Sequence, residues 1–157
     1  MVEHGEEGTL GVVLNDPLDT PLEDAVPGWQ QSVAPPRVLF RGGPVEPAAA
    51  LALGRVAAGA ESERWQPVTG EVALLDLSVG PLALGSELLA ARLFGGYGGW
   101  AAGQLEGEVA AGSWFVVEGE PGDPFTAEPE RLWRAVLRRQ PGELSLYASY
   151  PDDPRLN

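Results

Sequence analysis

RLFGGYGGWAAGQLEGEVAAGSW, residues 92–114, is the stretch that decides how this chain folds. The glycine pairs Gly95–Gly96 and Gly98–Gly99 alternate with Phe94, Tyr97 and Trp100, and Trp114 closes the run. Glycine this dense among aromatics means tight or left-handed backbone, or a close approach to something else. The pattern predicts a strand over 92–97, a turn, a short helix over 101–110 and a second strand over 113–117. Within the helix, Gln104 and Glu108 share a face, whereas Glu106 and Glu108 point apart.

Working upstream, residues 86–91 read as a helical turn capped by Ser86. Residues 72–77 (VALLDL) are too apolar for a half-exposed strand and belong in the middle of a sheet. Glu46 and Pro47 open an alanine- and leucine-rich run that reads as a helix, ended by Gly54 or Gly59. Residues 37–41 read as a strand entering the sharp Gly42-Gly43-Pro44 turn, and residues 29–36 as surface loop. Thr20 caps a short helix with Pro21 at its first position. Residues 9–14 form a β-branched run closed by the turn signal Asn15-Asp16-Pro17. Downstream, residues 118–128 are an acidic Gly/Pro loop. Residues 129–140 form a helix whose acid-first, arginine-last order suits the helix dipole, with Leu132/Val136 and Trp133/Leu137 inward. Residues 144–150 read as a closing strand and 151–157 as a tail.

With 157 residues and 44% hydrophobic content, the chain can build one packed core, and its 21 glycines and 15 prolines read as turns between short elements. Ten basic residues against 23 acidic ones give a net charge of −13, with no lysine at all. Such a balance works against binding of duplex nucleic acid, which rewards Lys and Arg on phosphates. Absence of cysteine excludes disulfides, thiolate chemistry and Cys-ligated metals. The start, MVEHGEEG, has neither a cationic nor an apolar leader region, and no apolar run approaches membrane-spanning length, so a cytoplasmic protein is expected, not a membrane one.

Chemistry-bearing patterns are sparse. His4 is the only histidine, and no serine sits in a nucleophile elbow, so serine hydrolysis is disfavoured. Asp76, an acid in an apolar strand, is the odd carboxylate, and the simple reading is that it caps a neighbouring loop. Gly95–Gly99 before a helix invites a phosphate-loop reading, but the spacing is wrong and no Gly-Lys-Ser/Thr follows. The acidic loop and Asp152-Asp153 lack calcium-loop spacing. Arg41 at the Gly42-Gly43-Pro44 turn can grip a carboxylate, or pair internally with Asp16, Asp76 or Glu106. No catalytic residue, metal site or cofactor is assigned.

Three segments together resemble the YqgE/AlgH family of bacterial proteins. Gly11 to Pro17 (GVVLNDP) resembles its Gly-x-x-x-Asn-Arg-Pro segment, and Arg41 to Val45 (RGGPV) its Gly-Gly-Pro-Val turn. GYGGW with GQLE, residues 96–100 and 103–106, resembles its Gly-Tyr-x-Gly-Trp-x-x-Gly-Gln-Leu-Glu signature. The ending, from Leu132-Trp133-Arg134 to Pro151-Asp152-Asp153-Pro154, is similar to the actinobacterial branch. Asp16 departs from the family arginine. The family also begins further upstream, which implies an N-terminally shortened chain; the intact mass of natively expressed protein tests that. The resemblance implies an α+β fold in one compact domain over 1–157, with a small barrel-like mixed sheet flanked by helices. It implies no established activity, and the family's occasional label of transcriptional regulator fits an indirect role. The expected site is a groove for a protein or small-molecule partner, built from Asn15, Arg41, Gly42, Gly43, Pro44, Tyr97, Trp100, Gln104 and Glu106. The alternatives are a carboxylate- or metal-dependent enzyme using Glu106 or Asp76, and direct binding of DNA.

Overall fold

The computed structural model describes residues 1–150. In chain order the strands are β1 (Glu3–Gly5), β2 (Gly8–Gly11), β3 (Pro17–Pro21), β4 (Val38–Arg41), β5 (Val45–Val56), β6 (Trp65–Thr69), β7 (Val72–Leu75) and β8 (Leu88–Ala101). The helices are α1 (Leu22–Ala25), α2 (Gln104–Ala110), α3 (Leu132–Arg139) and α4 (Leu144–Tyr147). The strands make one eight-stranded sheet in the order β1-β2-β8-β5-β7-β6, with β4 joining β8 in parallel and β3 hydrogen-bonded to β4. All other pairings are antiparallel, and the sheet curls into a nearly closed barrel-like form with the helices outside. This is the expected α+β class.

β8 is the organising strand. Its first part pairs with β5, its middle with both β5 and β4, and its glycine-rich end with β2. The Gly42-Gly43 turn lies directly on that glycine-rich end. A Cβ on Gly43 would stand 2.2 Å from the Tyr97 carbonyl carbon, and one on Gly42 2.1 Å from the Gly96 oxygen. Gly96 itself takes φ +70°, open to glycine at no steric cost. Two backbones therefore cross in contact where any side chain would separate them.

Several elements depart from the sequence reading. The Ala/Leu run after Pro47 is the twelve-residue strand β5, not a helix. Its small residues are there for close approach: a Cβ on Gly54 would meet Leu75 Cδ2 at 2.5 Å, and Ala52 is fully buried. Burial between β7 and β8 overrides the helix propensity of alanine and leucine. Residues 86–91 are not a capped helical turn; a 3₁₀ segment, Pro81–Glu87, runs straight into β8. β7 is second from the sheet edge rather than central, and Asp76 falls just beyond it. Pro21 is the N-cap of α1, with no side-chain cap from Thr20. Residues 29–36 are not surface loop: Trp29 and Val33 are buried, and Ser32 and Ala34 bond the Ala91 backbone. Residues 113–117 form no strand, and 144–147 are helical. The expected tail, 151–157, lies outside the described residues.

The interior has two apolar clusters, one around Trp29, Ala52, Trp65 and Leu93, the other around Phe40, Leu53, Val72 and Phe94. Each fully buried large side chain is worth about 1.5–3 kcal/mol of transfer free energy. Arg92 is buried with them. Its guanidinium stacks on Phe40 at 4.2 Å, and Nη2 donates to the carbonyls of Pro35 (2.8 Å) and Thr126 (2.9 Å). Burial pushes its pKa down to about 10, so it stays charged at neutral pH.

Candidate functional site

Where β8 leaves the barrel, the chain turns through Gly103 (φ +74°) into α2, which packs on β8 and brings Glu106 to His4 on β1. Between β2, α2 and the irregular segment 114–117 lies a groove of about 770 Å³. Gly11, Gly42 and Gly98 contribute to its floor, and the Trp100 indole covers the glycines: a Cβ on Gly98 would lie 3.0 Å from the ring, one on Gly11 3.4 Å. Val12, Val13, Leu105, Val109 and residues 114–117 make apolar walls, and His4, Asn15 and Glu106 are the polar lining. Trp114, Phe115 and Val116 are 50%, 61% and 71% exposed.

Glu108 fastens one wall of this groove. Its carboxylate accepts from Trp114 Nε1 (2.7 Å), Gln104 Nε2 (2.9 Å) and Trp100 Nε1 (3.1 Å). Those bonds, Trp114's first, hold its pKa below the ordinary carboxylate value. The two indoles consequently meet edge to face at 5.9 Å. Gln104 Oε1 also accepts from the Ala101 amide, bracing the β8–α2 turn.

At the other end, Glu106 Oε1 lies 3.4 Å from His4 Nε2, and His4 Nδ1 is hydrogen-bonded to Thr9 Oγ1 at 2.7 Å. His4 and Thr9 are opposed on β1 and β2, so cross-strand pairing fixes the ring.

Of the residues expected to form a site, Asn15, Gly42, Trp100 and Glu106 line the groove. The other five do not. Arg41 is exposed and pairs with Asp16 at 3.4 Å, so the acid standing in place of the family arginine finds its partner inside the chain. Gly43 is buried beneath β8, and Pro44 is exposed on the turn. Tyr97 faces the opposite side of β8, its hydroxyl donating to Glu46 at 3.4 Å; desolvation, then that carboxylate, raise its pKa. Gln104 supports the groove from outside its lining. The period of two in a strand separates Tyr97 from Trp100, a division invisible while the strand is read as ending at Tyr97 and residues 98–100 as a turn.

His4 and the apolar run from Trp114 line the groove and Glu108 braces its wall, though none of them belongs to the site expected from the sequence. Spacing offered one signal, Gln104 and Glu108 on a common helix face. Other candidates dissolve. Asp76 is exposed and accepts from the Ser78 amide at 2.8 Å, the loop-capping role of the simpler reading. Gly95–Gly99 is strand rather than an anion-cradling loop. Asp123 and Glu120 are engaged by Arg139, and no group of three metal-ligating side chains occurs among the described residues. Asp152 and Asp153 lie outside those residues. No helix among them is long and apolar enough to cross a membrane.

Residues 1–145 match the family described as AlgH-like, DUF179. The chain belongs to the AlgH-like family. A UPF0301 protein of Streptomyces coelicolor is 48% identical over 161 residues, covering all of this chain and 83% of the relative. One from Mycobacterium tuberculosis is 41% identical over 156 residues, covering 98% and 77%. Among solved structures, a Corynebacterium diphtheriae protein superposes with TM-score 0.88 at 31% identity, covering 94% of this chain and 79% of that one. The solution structure of Pseudomonas aeruginosa AlgH gives 0.68 at 27%, covering 97% and 82%. The glycine-rich end of β8, the Gly42-Gly43 turn and α2 all fall within the region matched to the family.

Proposed function

We propose that this chain is a non-catalytic binding protein whose groove between β2, α2 and residues 114–117 holds an apolar segment of a protein partner, any effect on gene expression being indirect. One observation carries the reading: Trp114, Phe115 and Val116 are at least half exposed beside a groove of about 770 Å³, the size of a ligand site. Monomeric proteins rarely leave contiguous aromatic and β-branched surface uncovered without a use for it. The nine expected site residues divide accordingly: Asn15, Gly42, Trp100 and Glu106 line the face offered to the partner, Gln104 braces its wall through Glu108, and Arg41, Gly43, Pro44 and Tyr97 lie outside it.

The test uses the neutral dye Nile red with wild type and Phe115→Asp, and the same two proteins as baits in a native-host lysate. Wild type is expected to turn on the dye's fluorescence and to retain a protein that Phe115→Asp, with unchanged melting, does not. Absence of a dye signal, or identical captured sets, overturns the reading.

A second reading, acid–base chemistry at His4 and Glu106, draws on His4, hydrogen-bonded to Thr9 and lying 3.4 Å from the Glu106 carboxylate at the groove's edge. A turnover abolished by both His4→Gln and Glu106→Gln would favour it over the binding role.

A further inference from the structure

The composition of residues 114–117 (WFVV) is that of a strand, yet it has no strand partner. No backbone hydrogen bond within the chain reaches these residues among the described ones, and none reaches Val12, where β2 runs out across the groove. One unpaired segment, residues 114–117, and one unbonded residue, Val12, between the paired Gly11 and the Val13 amide that donates to Gly42, thus border one apolar groove, a different situation from a pocket offering side chains alone. Open strand-like edges recruit another strand, with main-chain bonds giving affinity and alternate side chains seating in pockets.

Charge narrows the occupant further. Among the described residues Glu106 is the only acid in the groove lining and no arginine lines it; the whole chain is at −13 without a lysine. An incoming segment flanked by acids meets repulsion from the entire molecule, whereas one flanked by bases is attracted at long range.

We infer that the groove binds its partner by strand addition, taking an extended apolar segment with basic flanks that bonds Val12 on one side and residues 115–117 on the other. This inference rests on the binding-groove reading above and specifies its occupant. An apolar small molecule would fill the same volume without touching the amides, and that separates the two.

The experiment uses the full chain with a short synthetic peptide of alternating valine and threonine flanked by paired arginines, and with the same core flanked by paired glutamates. Hydrogen exchange is read at each amide. The arginine-flanked peptide is expected to slow exchange at Val12 and residues 115–117 by about tenfold or more, and to bind about tenfold more tightly than its acidic counterpart. Val116→Pro removes an amide to which no bond among the described residues runs, and is expected to weaken the arginine-flanked peptide by about tenfold. Peptide binding without amide protection, equal affinity for the two flanks, or dye binding with no peptide binding each overturns strand addition and leaves the groove intact. Failure of dye and peptides alike overturns both. Should Val116→Pro unfold, wild-type amide protection decides.

Discussion

At the scale of single residues, the glycines divide into those that bend the chain and those that let it approach itself. Gly103 takes φ +74° with no atom within 4 Å of a would-be Cβ, so Gly103→Ala pays only the left-handed penalty, about 1–2 kcal/mol. Gly43→Ala drives a methyl into the Tyr97–Gly98 peptide and is expected to cost about 3 kcal/mol or more. Denaturant unfolding of the two variants checks the order; similar midpoints would mean the turn does not press on β8. Glu108 is the other decisive residue. Because the folded state holds it more acidic than the unfolded chain, its contribution is present above pH 4.5 and is lost as pH falls below that value. The near-ultraviolet circular dichroism of the Trp100–Trp114 pair should therefore persist at neutral pH and fade in acid. Glu108→Gln should weaken it at pH 7 and flatten its acid response.

Among the elements, β5 and β8 carry the lesson about propensity. Ala50, Leu51, Ala52 and Leu53 are good helix formers, yet each has a partner on β8, and Leu53 and Gly54 also pair with β7. The period that matters was masked by small residues, since an alanine on either face looks apolar. Arg92 joins β8 to its surroundings, one nitrogen bridging the Pro35 and Thr126 carbonyls. Arg92→Met keeps the bulk over Phe40 but orphans both carbonyls, and the expected loss is about 2–4 kcal/mol. Amide exchange should localise the loosening to the segments around residues 35 and 126. A variant as stable as wild type would show that those bonds contribute nothing net, as happens when a buried charge is replaced by apolar volume.

For the whole molecule, charge is the governing property. A chain at −13 repels itself, so raising salt from low to physiological ionic strength should raise the melting temperature. The same charge predicts no retardation of duplex DNA at physiological salt, and a salt-sensitive gel shift under those conditions would reverse the ranking of DNA binding.

By itself, the sequence determined the family signature, the sharp Gly42-Gly43 turn, the α3 segment and the absence of thiol chemistry, because these depend on residue identity or on local backbone rules. It also determined that Gln104 and Glu108 face the same way, a consequence of helical spacing alone. Only the tertiary structure decided that Ala-rich β5 is a strand, that Trp29 and Val33 are core, and that Tyr97 and Trp100 serve opposite faces. It alone brought His4 to Glu106, whose separation in sequence gives no hint of contact. Local rules fix what a residue can do, but pairing and burial join segments far apart in the chain, and their free energy exceeds the few tenths of a kcal/mol by which propensities differ (about 0.7 at most for ordinary residues).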